Sequence, residues 1–133
     1  MESFKAMAES SVVHLVEYFS PMCGSCKEFT PIFEKLCQDA TYITCAKVNI
    51  DTPEGMEVAM KARVLEEGIP NLRLYHSMEG GVENRGTRLM VGDVKPASEI
   101  ISLIEHQVKR DGMTKDETGK YMKSVRDHVH EEL

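Results

Sequence analysis

Cys23 and Cys26 are separated by two residues in Phe19-Ser20-Pro21-Met22-Cys23-Gly24-Ser25-Cys26-Lys27, after an apolar run and at the opening of a helical pattern. A helix N-terminus presents unpaired backbone N–H groups and about half a positive charge. That field favours the thiolate, the nucleophilic and metal-binding form of cysteine. Cys23, at the helix start, therefore reads as the nucleophile. Cys26, one turn further in, reads as the more buried thiol that attacks a mixed disulfide formed on Cys23. Two thiols so placed cycle between dithiol and disulfide, which makes them a redox-active pair. A zinc half-site is the competing chemistry, but it needs a second ligand pair at suitable spacing. The other two cysteines, Cys37 and Cys45, do not have it. A purely structural bridge across so short a loop would constrain little chain.

The elements around the pair follow from periodicity. Ser3 to Ser11 reads as a short helix, with Phe4, Met7 and Ala8 on one face. Val12 to Phe19 is apolar on both alternations, as in a strand covered on both faces. Glu17 is out of place there, because a carboxylate in such a strand is costly unless paired or functional. Gly24 to Ala40 is helical by the spacing of Phe29, Phe33, Leu36 and Cys37, with Pro31 expected to kink it. Ile43 to Ile50 is a second strand. Asp51-Thr52-Pro53-Glu54 starts a helix whose inward face is read as Met56, Met60 and Val64. Asn71 to Tyr75 and Thr87 to Val91 form a hairpin with its tip at Gly80-Gly81, and Pro96 to Lys109 an amphipathic helix. Thr114 to Leu133 is polar with a thin apolar stripe, read as a helical extension outside the core. The chain thus divides into a domain over 1–110 and an extension over 111–133. The fold class is α/β, with a central sheet that includes a parallel pair.

Composition narrows the function classes. The chain has 133 residues, 41% of them hydrophobic, and a formal net charge of −6. A nucleic-acid surface needs clustered Lys and Arg, so no nucleic-acid partner is expected. No run is long and apolar enough for a membrane-spanning helix. His128 and His130 do not make a metal site, and no metal or cofactor is implied. Cys37 and Cys45 read as buried core residues, since free cysteine behaves as a small hydrophobe. Nothing in the sequence supports a second disulfide between them.

These residues, in this order, resemble the thioredoxin fold and, within it, the catalytic domains of protein disulfide isomerases. The resemblance rests on Leu15 to Lys27, Pro31, Ala46-Lys47-Val48-Asn49-Ile50-Asp51 and Gly68-Ile69-Pro70, and covers residues 3–109. It implies a mixed sheet flanked by helices. It implies that Glu17 is a buried acid that trades protons with Cys26, and that Ile69–Pro70 is cis, opposite Cys23. Met22, Ile69 and Pro70 then form the substrate surface. Lys47 matches a lysine that pairs with the buried acid, with a solvated strand-end lysine as the equal alternative. Three positions depart from the family. Met22 stands where Trp is usual, Gly24-Ser25 replaces the isomerases' Gly-His and the thioredoxins' Gly-Pro, and Asp93 follows Gly92 where many isomerases have Arg.

The family usually opens with a strand before the first helix, and there is no room for one here, so the first edge strand is expected to be missing. His130-Glu131-Glu132-Leu133 is one substitution from a retention signal of the endoplasmic reticulum. Together these imply a lumenal protein whose leader precedes the given sequence. The expected function is a thiol–disulfide oxidoreductase or isomerase of protein disulfides. Its partners are protein thiols and disulfides, with the upstream oxidase or reductase unidentified. Two alternatives stand beside it: a cytosolic thioredoxin-like reductant and a client-binding module of the same fold.

Overall fold

The strand that the apolar run forms is β1 (His14–Phe19), buried over all but its last residue. In the computed structural model, which describes residues 13–75, 86–110, 114–115 and 121–122, β1 lies inside a four-stranded sheet. It pairs parallel with β2 (Thr44–Asn49) and antiparallel with β3 (Asn71–Tyr75). β4 (Thr87–Val91) extends the sheet antiparallel to β3, giving the order β2-β1-β3-β4. Being flanked on both sides, β1 needs apolar residues on both alternations, and its sequence supplies them.

Four helices are described. α1 (Gly24–Asp39) runs through Pro31 and buries Cys26, Phe29, Phe33 and Leu36. With α4 (Ala97–Arg110), which buries Ile100, Ile104 and Val108, it contributes to one core cluster that also holds Leu15, Leu72 and Leu74. α2 (Pro53–Lys61) and α3 (Val64–Glu67) contribute to the second cluster, with Val16, Tyr18, Val48 and Tyr75. Because strand side chains alternate, odd-numbered β1 residues meet α1 and even-numbered ones meet α2 and α3. Glu17 therefore faces the α1 side.

Two readings need correction. The buried face of α2 is Gly55, Val58 and Ala59, while Met60 is 61% exposed. Small residues let α2 approach the end of β2 closely: a Cβ on Gly55 would lie 1.9 Å from the Asn49 carbonyl oxygen. The helix stops at Ala62, and left-handed Arg63 separates Val64 into α3. The extension after α4 does not open as a helix. β5 (Thr114–Lys115) pairs antiparallel with β6 (Tyr121–Met122).

The expected first helix, the question of a missing edge strand, the hairpin tip and the terminal tetrapeptide lie outside the described residues. No helix among the described residues is long and apolar enough to cross a membrane.

Candidate active site

After β1 the chain turns through Ser20-Pro21-Met22, and Ser20 holds the turn. The Cys23 N–H donates to the Ser20 carbonyl and the Met22 N–H to Ser20 Oγ, each at 3.1 Å. Ser20 Oγ in turn donates to Asp51 Oδ2, just beyond β2, at 2.7 Å. Cys23 then caps α1: its backbone is extended and its sulfur accepts the Cys26 N–H at 3.1 Å. A sulfur thus occupies the place usually taken by a capping oxygen.

The two sulfurs differ in environment. Cys23 is half-buried, while Cys26 is 1% exposed. Burial pushes the Cys26 thiol up to about 12; hydrogen bonding to Cys23 and the charges of Cys23 and Glu17 add to this, against a backbone hydrogen bond involving Ser20.

Glu17 is fully buried, and its charge reaches the Cys26 thiol. Its Oε2 accepts from Thr30 Oγ1 at 2.9 Å, and its Oε1 has no hydrogen-bond partner among the described residues. Burial pushes this carboxyl up to about 7, outweighing the Thr30 hydrogen bond and the Lys47 charge, which act downward. Lys47 stands opposite Glu17 in the β1–β2 register. Its ammonium bonds Glu34 Oε1 at 3.1 Å and lies 5.9 Å from the centre of the Phe19 ring. It reaches Glu17 as a charge, an arrangement between the two readings of this lysine.

Ile69–Pro70 is cis, and the Cys23 thiol donates to the Ile69 carbonyl at 3.9 Å. The Gly92 N–H donates to the Pro70 carbonyl at 2.9 Å. Gly92 has φ 87° and lies so close to α3 that a Cβ would stand 3.3 Å from the Glu67 carbonyl oxygen, so glycine suits this position on both counts. Met22 is 85% exposed beside Cys23, and Ile69 is half-buried.

The second pair of cysteines is the principal correction. Cys37 and Cys45 form a disulfide with Cα atoms 6.2 Å apart, joining the last turn of α1 to β2. Each occupies an inward position that suits a core thiol equally well, and only the packing of α1 on β2 brings them together. Thr30, Glu34, Ser20 and Asp51 were also not singled out from the sequence. Thr30 had one signal, standing four residues after Cys26 and so one turn along the same helix. Among the described residues no cluster of three or more His, Cys, Asp or Glu could hold a metal ion.

A half-buried and a buried thiol at a helix start, on a mixed sheet of this order, define a thiol–disulfide oxidoreductase of the thioredoxin type. The thioredoxin family model matches residues 1–105, and the chain belongs to that family. It is 40% identical over 75 residues to thioredoxin from Chlamydia pneumoniae, covering 56% of this chain and 68% of that protein. It is 31% identical over 108 residues to protein disulfide isomerase-like 2-3 from Oryza sativa subsp. japonica, covering 80% of this chain and 22% of the relative. It is 34% identical over 79 residues to the protein disulfide-isomerase erp38 from Neurospora crassa, covering 56% of this chain and 20% of that protein. The match thus spans about a fifth of each of these two isomerases. The solution structure of oxidised thioredoxin from Plasmodium falciparum shares the fold, with a TM-score of 0.54 at 22% identity over 78% of this chain and 88% of that one.

Proposed function

We propose that this chain reduces, forms and rearranges disulfides in protein substrates through Cys23 and Cys26, as an isomerase-like member of its family. The observation that carries this reading is the buried carboxyl of Glu17, whose charge reaches the buried Cys26 thiol beside half-buried Cys23. Cys23 thiolate attacks one sulfur of a substrate disulfide, forming a mixed disulfide and releasing the other substrate sulfur as a thiolate. Cys26 then gives its proton to Glu17 and attacks the Cys23 sulfur, releasing the second substrate thiolate and closing Cys23–Cys26. The mixed disulfide removes the Cys23 hydrogen bond and charge, two of the causes that hold the Cys26 thiol high. Cys26 becomes easier to ionise when it must react. A carboxyl at about 7 is poised to take that proton near neutral pH. Met22 and Ile69 offer an apolar contact for the substrate chain beside the Pro70 loop. Oxidation of a substrate dithiol runs the same steps in reverse.

We place this activity in the lumen of the endoplasmic reticulum. The Cys37–Cys45 disulfide suits an oxidising compartment. The 40% identity to a bacterial thioredoxin favours a second reading, a general protein-disulfide reductant. Paired assays separate the two. The isomerase reading expects both reduction of insulin and recovery of scrambled ribonuclease. Insulin reduction without recovery of scrambled ribonuclease leaves only the reductant. Cys23→Ser should abolish both activities and Cys26→Ser should accumulate mixed disulfides; turnover surviving in Cys23→Ser would remove both readings.

A further inference from the structure

Cys37 and Cys45 are both half-buried, and both line an open groove of about 390 Å³ between α1 and β2. That volume falls within the ~300–1,000 Å³ of small-molecule sites. Phe33 and Ala46 give the groove apolar walls, and Glu34 and Lys47, ion-paired with each other at 3.1 Å, supply one charge of each sign. A disulfide that lines an open groove can be reached by a small thiol, whereas fully buried structural ones resist reduction. The pair is also remote from the first site. Cys23 caps the start of α1 and Cys37 lies in its last turn, fourteen residues on, so about 21 Å of helix separates them. Cys23 cannot reach this disulfide within one molecule, and a reductant must come from outside.

We propose that Cys37–Cys45 is a second thiol–disulfide exchange centre, opened by a small zwitterionic peptide thiol seated in this groove. The ammonium and carboxylate of such a ligand join the partly exposed Glu34–Lys47 ion pair, each meeting the opposite charge, and its volume suits the groove where a folded protein's thiol does not. Its thiolate attacks Cys37 Sγ, forming a mixed disulfide as the Cys37–Cys45 bond breaks. Cys45 leaves as a thiolate on the same face of β2 as Lys47, whose charge stabilises it. A second thiolate attacks the ligand sulfur of the mixed disulfide and releases Cys37. Two protons from solution complete the dithiol, and two peptide thiols have become one peptide disulfide. Opening this bond unties α1 from β2 at the end of the helix that carries Cys23 at its start.

The test uses the full chain as the Cys23→Ser/Cys26→Ser double variant, in which only the second pair remains of the four cysteines. Reduced glutathione is the probe, with acid quenching, alkylation and mass measurement. The expected result is opening under native conditions at a rate proportional to glutathione concentration, with a glutathione adduct on Cys37. A rate independent of glutathione concentration would mean that the bond opens only when the fold does, and would overturn the proposal. Gln38→Trp, which fills the groove from the surface of α1, should slow opening about tenfold, and Lys47→Gln about threefold. Unchanged rates in both variants would equally overturn it.

Discussion

Glu17 and Glu67 lie against opposite faces of one sheet. Burial pushes the Glu17 carboxyl up to about 7, and one of its oxygens has no hydrogen-bond partner among the described residues. Glu67, at the end of α3, is also desolvated, which acts upward. Hydrogen bonds from Asn71 and Arg73, the Arg73 charge and a hydrogen bond from Arg88 outweigh this, and the carboxyl ends below its ordinary value. Arg73 Nη2 donates to Glu67 Oε1 at 2.7 Å and Arg73 Nε donates to Asn71 Oδ1 at 3.1 Å, with the guanidinium 6.0 Å from the centre of the Tyr18 ring. A carboxylate that fixes a loop is surrounded by donors. One suited to exchanging protons is buried and left short of them. Among the described residues Glu67 is of the first kind and Glu17 of the second, and it is the charge of Glu17 that reaches the Cys26 thiol.

The largest effect expected from this contrast is at Arg73, which is 1% exposed. Arg73→Ala breaks a buried ion pair from one side and should cost about 4 kcal/mol in urea denaturation at pH 7. A loss below about 1 kcal/mol would mean that Arg88 and solvent satisfy Glu67 unaided, and the contrast between the two carboxylates would lose its structural half.

Glu17→Gln should act in the opposite direction. The folded-state value of Glu17 is raised to about 7. Its contribution to stability is therefore fully present below about pH 4.5 and lost as pH rises through about 7. Gln keeps the size and the Thr30 hydrogen bond without the ionisation. The variant should match the parent near pH 4 and exceed it by about 3 kcal/mol at pH 8, at 1.36 kcal/mol per unit. Resolution of mixed disulfides by Cys26 should slow about 100-fold and lose its rise through pH 7, while the first attack by Cys23 stays the same. A variant equally stable at both pH values, with normal resolution, would break the functional half of the contrast.

Glu67→Gln gives a smaller effect and the reverse pH dependence. The folded-state value of Glu67 is lowered, so its contribution is present above about pH 4.5 and lost as pH falls through the folded value. The variant should be about 1–2 kcal/mol less stable at pH 7, with the deficit shrinking in acid. A deficit that grows toward low pH would show that the Arg73 network does not depend on the charge of Glu67.

How much of this was legible in the sequence depends on whether a feature is local or tertiary. Cys23 and Cys26 announce themselves by spacing, and Glu17 by being charged in an apolar strand; the cis Ile69–Pro70 bond came from resemblance. Four central strands and the helices over Gly24–Asp39 and Ala97–Arg110 follow from period. Met60 was misplaced because periodicity finds a face but does not show that Gly55 and Ala59 admit the strand more closely. The partners of charged residues were the least visible. Arg73 alternates with Leu72 and Leu74 as an outward residue would, and Glu67 reads as a polar helix end. Their pairing exists because α3 folds back on β3, as the Cys37–Cys45 bridge exists because α1 packs on β2. Neither contact leaves a mark in sequence spacing.

The smallest expected effect, at Lys47, refines the comparison further. Its ion pair with Glu34 is partly exposed, and surface pairs contribute about 0–1 kcal/mol. Lys47→Met, which keeps the stem over Phe19 and removes the charge, should therefore change stability by less than about 1 kcal/mol at pH 7. The charge nonetheless holds Glu17 lower than burial alone would, while that of Glu34 pushes it up. Removing the ammonium should move the midpoint of the pH dependence of Cys26 resolution upward from about 7. Glu34→Gln should move it downward, with an equally small change in stability. The two shifts in opposite directions separate an electrostatic role from a packing one, because a packing defect has no reason to change sign between the variants. Midpoints that stay together would mean that Glu17 is set by burial and Thr30 alone, and Lys47 would belong to the surface.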